Sequence, residues 1–511
     1  MNEINTKLHK LLDGYIDICS KDEYLMARLT NYMEVALPNL IENSNKVNGE
    51  RKERKEKLEE ECNKFINRFL QKNQYYYLSY ADFFIKYDRI NFKIYSEDKI
   101  LHEALTSISP DNILMAWKYK IKNLIIKAIK ERSPLNVIPE SCTIQNVISE
   151  IYPRFFTSKN AAKYFLTIIG DYLLGKNEIS LIFLADNSLK DLIKNITYFA
   201  HTYCGIGNIS QNIKFKYHEH QYDKCRLISS VNNKTPIEVL PSLKTIALDL
   251  LCVAAHYSSR CENSDGFIEG CNDIELRDYT KFLYNNNLSD ITDIFLNKMI
   301  ENHTESSIDS KNMLYLWKKF LNENKLPNIS FYSSLQTILK EKLNFDQASD
   351  SYLNITSSQL PIISNFITFW DLNMEKDDYG ELEIEEIVIL FCEWSSKMNR
   401  LLKVRGQPTD ILLDLITHFF PDTIIEDGKN ICGVACKLWN KQLDVINAVE
   451  TYRLEKKEIE AITMDNIYEF YIKSGKKKMV SKKYFEKIGS EILLNDLDED
   501  GFINEKWFLK N

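Results

Sequence analysis

Apolar side chains recur at helical spacing over most of the chain. From Ile4 to Leu40 they fall three and four residues apart, at Leu8, Leu11, Leu12, Tyr15 and Ile16, which predicts a helical N-terminal segment closed by Pro38. The run Gly49 to Glu61, GERKERKEKLEEE, sets opposite charges three and four apart before Phe65, Ile66, Phe69 and Leu70. It predicts one long exposed helix with a solvated face, its side-chain ion pairs each worth about 0.2–0.5 kcal/mol.

The pattern changes between Tyr75 and Tyr95. YYYLSYADFFIKYDRINFKIY is dense in aromatic and β-branched residues, with polar breaks at Ala81-Asp82 and Asp88-Arg89, and predicts a small sheet. Helical periodicity returns from Asp98 to Leu192, broken at Pro110, Pro134, Pro139 and Pro153. IKFKYHEHQYDKCRLI, within Cys204 to Val231, alternates enough for one or two strands. Leu243 to Tyr257 then reads as a buried helix, and Ile308 to Phe420 as consecutive helices without a fixed period. HEAT-like stacked hairpins would give this look. Met464 to Asn511 reads as two helices around a basic turn, followed by an acidic turn, which fits a helix-turn-helix or winged-helix-like module.

The expected fold class is therefore mainly α, multidomain, with small β-containing patches. The expected divisions are an N-terminal helical segment (1–72), a small sheet plus helical domain (73–200), a Cys/His-containing mixed region (201–305), a helical-hairpin domain (306–460) and a C-terminal basic and acidic module (461–511). Chain length agrees: 511 residues exceed what a single core accommodates. Only 15 glycines and 11 prolines occur, which favours long helices over turn-rich folds.

A formal charge of -8 and a pI near 5.7 argue against coating nucleic acid by bulk electrostatics. The polar start Met1-Asn2-Glu3-Ile4-Asn5 lacks an apolar leader core. The longest apolar run, Ile246 to Tyr257, is too short for a membrane span and contains Asp249. The expectation is a cytoplasmic protein without a membrane partner, its 11 cysteines reduced.

Five sequence features are candidates for chemistry. Gly170-Asp171-Tyr172-Leu173-Leu174-Gly175-Lys176-Asn177 approaches a phosphate-binding loop, but Asn177 replaces the hydroxyl that holds magnesium and no strand precedes it; the alternative is a helix ending at Gly175. His201, Cys204, His218, His220 and Cys225, with Cys252, His256, Cys261 and Cys271 downstream, offer zinc's preferred donors without a Cys-x2-Cys knuckle. Buried thiols and hydrogen-bonded histidines are the other reading. Asp496, Asp498 and Asp500, followed by Gly501 and Ile503, reproduce the start of a calcium loop, but its twelfth position is Trp507 where a bidentate Glu is needed, so an acidic turn competes. A weaker relative, Glu375-x-Asp377-x-Tyr379-Gly380-x-Leu382 with Glu386 twelfth, reads as an acidic loop opening a helix. Lys476, Lys477, Lys478, Lys482 and Lys483 beside Tyr484 combine phosphate-neutralising charge with a ring for base stacking; a solvated lysine-rich turn competes. No complete catalytic motif emerges.

WKYKIKNLIIKAIKERSPLNVIPES (Trp117 to Ser141), AAKYFLTIIGDYLLGKN (Ala161 to Asn177), IKFKYHEHQYDKCRLI (Ile213 to Ile228) and ITSSQLPIISNFITFWD (Ile355 to Asp371) resemble uncharacterised proteins of giant DNA viruses of the mimivirus kind. YFLTIIGDYLLGKN is also similar to the helix preceding the ATPase core of poxvirus-type primase-helicases, whose glycine-rich loop this chain lacks. The resemblance carries no catalytic residue. It implies a non-ATPase relative, while the serial helical segments, the missing catalytic motif and the basic C-terminal turn lead to the expectation of a non-enzymatic viral scaffold or adaptor in the host cytoplasm or viral factory, with protein partners and nucleic acid as candidates. The alternatives are a degenerate helicase or primase accessory protein and a translation-initiation scaffold.

Overall fold

A computed structural model describes residues 2–108, 112–176, 180–231, 239–398, 407–455, 462–475, 478–494, 496–497, 502–503 and 507. The chain is mainly helical, with four small three-stranded sheets among the described residues. It divides into two compact units, residues 1–287 with 325–330, and residues 288–324 with 331–511. No described helix is long and apolar enough to cross a membrane.

The first unit begins with α1 (Asn2–Cys19), α2 (Glu23–Asn31) and α3 (Leu37–Lys72). Asp22 starts α2 by accepting from the N–H groups of Tyr24 and Leu25. Pro38 does not close the segment as its sequence suggests. It lies in the first turn of α3, where its missing N–H costs nothing, and a π-turn at Tyr32–Ala36 widens the helix just before it. The charged run forms the expected ion pairs, Arg54–Glu50, Lys57–Glu53 and Lys64–Glu60. No residue from 3 to 61 is buried. Burial starts at Cys62 and continues through Ile66, Phe69 and Leu70.

Those residues meet the sheet predicted around Tyr75. It is an antiparallel meander of β1 (Gln74–Leu78), β2 (Phe83–Tyr87) and β3 (Phe92–Tyr95), with Tyr76 opposite Ile85 and Phe84 opposite Tyr95. Side-chain alternation sends Tyr75 and Phe84 toward α3 and the helix Lys118–Lys130, and Tyr76, Ile85 and Phe92 toward Leu248 and Cys252. The sheet is thus buried on both faces.

The main core of this unit is built on the helices Lys159–Leu173 and Ala247–Arg260. A Cβ at Gly170 would lie 2.1 Å from the backbone oxygen of Ala254, so only glycine permits this approach. A parallel sheet, β4 (Ile182–Leu184), β5 (Ile213–Lys214) and β6 (Cys225–Leu227) in the order β5-β4-β6, packs nearby; β5 and β6 are the strands expected between Ile213 and Ile228. Asp249, the charge inside the longest apolar run, is 3% exposed and accepts from the Phe92 N–H at 2.6 Å. Burial pushes its carboxyl up to about 6.

The second unit adds strands to the consecutive helices expected between Ile308 and Phe420, and to the residues on either side of them. Two antiparallel sheets intervene: β7 (Glu301–Asp309), β8 (Phe345–Asp346) and β9 (Ser351–Thr356), ordered β7-β9-β8, and β10 (Met374–Glu383), β11 (Ile424–Glu426) and β12 (Asn430–Cys436), ordered β10-β12-β11. Sequence pattern concealed them because β7 (ENHTESSID) and β10 (MEKDDYGELE) are polar and mostly exposed, so they show no alternation of apolar residues. Phe366, Phe369, Phe391 and Trp394 pack the helices Leu360–Asn373 and Ile384–Lys397 together.

Two outcomes follow. Gly170→Ala should destabilise the first unit by about 1–3 kcal/mol in urea unfolding, despite alanine's higher helix propensity. Asp249 has a raised folded pKa, so its contribution to stability is complete below the unfolded value near 3.8 and is lost as pH rises through about 6. Unfolding measured between pH 4 and pH 7 should show that slope in the wild type, on the order of 2–3 kcal/mol, and lose it in Asp249→Asn.

Candidate functional site

The segment resembling a phosphate loop is helical. Gly170 to Leu173 complete the Lys159–Leu173 helix, and Gly175, at φ +66°, turns the chain out of it. Lys176 donates to the backbone oxygens of Ser258 and Glu262 at 3.2 and 3.1 Å, which occupies its ammonium group. Asn177 lies outside the described residues. Asp171 is buried, accepting from the Ser258 hydroxyl and the Ser264 N–H.

The proposed zinc ligands do not converge: no group of three or more His, Cys, Asp or Glu able to hold a metal occurs among the described residues. His201 is exposed and meets the Tyr80 ring edge-on. Cys204 ends the helix Lys190–Cys204, and burial pushes its thiol up to about 11. His218 and His220 share a loop in which the His218 N–H approaches His220 Nδ1 at 3.4 Å. Cys225 is buried in β6 and donates to the Gln221 oxygen; burial pushes its thiol up to about 12.

In the C-terminal module Lys478 pairs with Glu393 at 3.1 Å, and Lys482 pairs with Asp465 at 2.6 Å. Lys483 is exposed, and Lys476 and Lys477 lie outside the described residues. A phosphate would therefore compete with carboxylates for two of these lysines. Of the calcium-loop residues, Asp498 and Asp500 lie outside the described residues, while Asp496 donates its N–H to the Leu493 oxygen. Leu497 bridges to Ile503, and Trp507, the twelfth position, is a core residue.

A groove of about 460 Å³ opens between β10, β12 and the helices Lys441–Glu455 and Lys482–Ile492. The ladder between β10 and β12 shifts register between Lys376 and Glu381, so residues 377–380 bulge outward. Tyr379 at the bulge is 96% exposed. Gly380 lies against the Val434 backbone, where a Cβ would approach its oxygen to 2.3 Å. The rim carries Glu375, Asp377 and Glu381 beside Lys437.

Lys441 anchors the groove. Its Nζ donates to Glu386 Oε2 at 2.8 Å and to the Glu381 oxygen at 3.2 Å, and lies 3.9 Å from the centre of the Tyr484 ring. Both ionic side chains are 6% exposed. Glu386 also closes a reciprocal cap with Glu383 at the start of the helix Ile384–Lys397. Burial raises its carboxyl above the usual range, against the opposing pull of Lys441. Burial likewise pushes the Tyr484 phenol up to about 12. The lining holds opposed charges and aromatic rings. Of the sequence candidates, the groove gathers Tyr484 from the lysine-rich turn and Glu375, Asp377, Tyr379, Gly380 and Leu382 from the acidic loop, whose twelfth residue, Glu386, pairs with Lys441. The Glu386–Lys441 pair spans 55 positions and leaves no local trace beyond the Glu383/Glu386 cap.

No protein-family model matches the chain, and comparisons with curated proteins and with solved structures give no match.

Lys441→Met should cost about 3–5 kcal/mol at neutral pH by stranding the Glu386 charge. Because the folded pKa of Glu386 is already raised, the deficit should shrink in acid, where the carboxyl is protonated, and grow as pH rises. Adding Glu386→Leu should restore most of the loss in chemical denaturation at pH 7.

Proposed function

We propose that this chain is a non-enzymatic viral scaffold or adaptor that binds protein partners, and secondarily nucleic acid, during viral replication or gene expression. The observation carrying this reading is the arm formed by α1, α2 and the first part of α3. Its apolar residues, Ile4, Leu8, Leu11, Tyr15 and Ile18 among them, are exposed, and nothing between residues 3 and 61 is buried. Isolated helices of this length are marginal in water, and their stability ordinarily comes from packing an apolar face. Exposed apolar surface of this extent is a feature of interaction sites. The groove around Lys441 agrees with the same reading.

One observation favours a degenerate helicase or primase accessory protein. β4 is the central strand of a parallel sheet and leads into the helix Lys190–Cys204, the arrangement in which α/β proteins bind nucleotides beyond the strand ends. Against it, the Asp186 carboxylate accepts from the Ser188 N–H just after β4, placing negative charge where a phosphate would lie.

Affinity capture from infected-cell extract should recover defined proteins with the wild-type chain and lose them with Leu8→Glu/Tyr15→Glu. Purified protein should turn over no nucleoside triphosphate. Absence of any partner together with nucleotide turnover would overturn the scaffold reading in favour of the second.

A further inference from the structure

A smaller pocket in the second unit carries chemistry that the scaffold reading does not use. It encloses about 120 Å³ between the helices Ser310–Glu323 and Pro408–Phe419, and Tyr315, Lys318, Lys319, Asn322, Asp414 and His418 line it. Tyr315 is 5% exposed and its ring packs against His418 and Phe419, yet its hydroxyl has no hydrogen-bond partner among the described residues. That hydroxyl lies in the field of Asp414 and Glu323. A desolvated hydroxyl left unpaired costs free energy, which a ligand in the pocket would recover. Lys319 is half-buried and donates to a single acceptor, Gln359 Oε1, at 2.6 Å. Burial pulls its ammonium below the usual lysine range. Asp414, exposed at the mouth, pairs with neither lysine and accepts from no described group. His418 donates from Nε2 to the Lys311 oxygen at 3.0 Å and accepts the Lys318 ammonium at Nδ1 at 3.2 Å, which keeps its ring neutral. Lys311 spends its own ammonium on the Phe419 oxygen. Two ammonium groups and one carboxylate thus border the pocket, with the charges of Glu323 and Asp410 close by.

We propose that this pocket binds a small zwitterion with one ammonium and one carboxylate group, a free α-amino acid. The ligand's carboxylate accepts from the lysine ammonium groups and the Asn322 amide, and its ammonium donates to Asp414 and the Tyr315 oxygen. Ligands of one charge sign fit less well. An inorganic anion or a dicarboxylate meets Asp414, and an amine without a carboxylate meets Lys318 and Lys319. The volume lies well below the ~300 Å³ at which pockets begin to hold drug-sized ligands, which leaves no room for a nucleotide.

Saturation-transfer NMR and titration calorimetry of the full-length chain against the common free α-amino acids test the inference. At least one should bind saturably, and its decarboxylated and deaminated counterparts should each bind about tenfold more weakly or worse. Tyr315→Phe should weaken binding several-fold without lowering the melting temperature, because the hydroxyl removed has no partner in the protein. Asp414→Asn should raise the dissociation constant of the amino acid by about tenfold and erase its advantage over the deaminated counterpart. No saturable binding by any amino acid at millimolar concentration would overturn the inference. So would a deaminated counterpart or inorganic phosphate that binds the wild type as tightly, or an affinity that neither substitution changes. None of these outcomes bears on the scaffold reading, which rests on the arm.

Discussion

The closeness of two backbones at Gly170 governs the first unit. With no side chain there, the helix Lys159–Leu173 settles onto the Ala254 carbonyl of its neighbour, and Ala161, Ala162 and Ala254 line the same core. The helix Ala247–Arg260 is thereby held so that Leu248 and Cys252 support the antiparallel sheet and Asp249 reaches the Phe92 amide. The residues Leu250, Leu251 and Val253 fill the core shared with Phe183 and Ile213 of the parallel strands. Close packing transmits any change in that spacing to both sheets.

Buried charge plays the specifying role elsewhere. Arg226 in β6 grips Asp265 through two hydrogen bonds at 2.8 and 2.9 Å and lies over the Tyr284 ring. In the second unit Lys441 holds Glu386 through one hydrogen bond of 2.8 Å, with the Tyr484 ring beside its ammonium group. Each ion pair ties a strand or its flanking helix to a distant segment. Desolvation offsets much of the Coulomb attraction, so the gain lies more in selecting one arrangement than in net stability.

Helices with one apolar stripe, and the aromatic sheet from Tyr75 to Tyr95, were legible because their side chains alternate or repeat where one face is covered. β7 and β10 were not, since a strand solvated on most of its length has no reason to alternate, and pairing with β9 and β12 is decided by partners remote in sequence. Spacing alone does not place the candidate zinc ligands from His201 to Cys225, because Cys204 closes a helix and Cys225 begins a strand. Tyr484 was visible as an aromatic beside lysines, but the lysine it serves, Lys441, comes from another helix. Similarly, periodicity showed that α1 has an apolar face without showing that the rest of the first unit leaves it uncovered.

The π-turn ahead of Pro38 has a geometric consequence for the arm. A helix advances by about 100° per residue, so one residue of extra winding at Tyr32–Ala36 rotates everything before it relative to α3. The turn works as a phase setting: it fixes the compass direction in which the apolar stripe of α1 and α2 points relative to the anchored face of Cys62, Ile66 and Phe69. Lengthening α3 by a whole number of turns would move the stripe outward without swinging it, whereas inserting or removing a single residue would aim it at a different quarter of the surroundings.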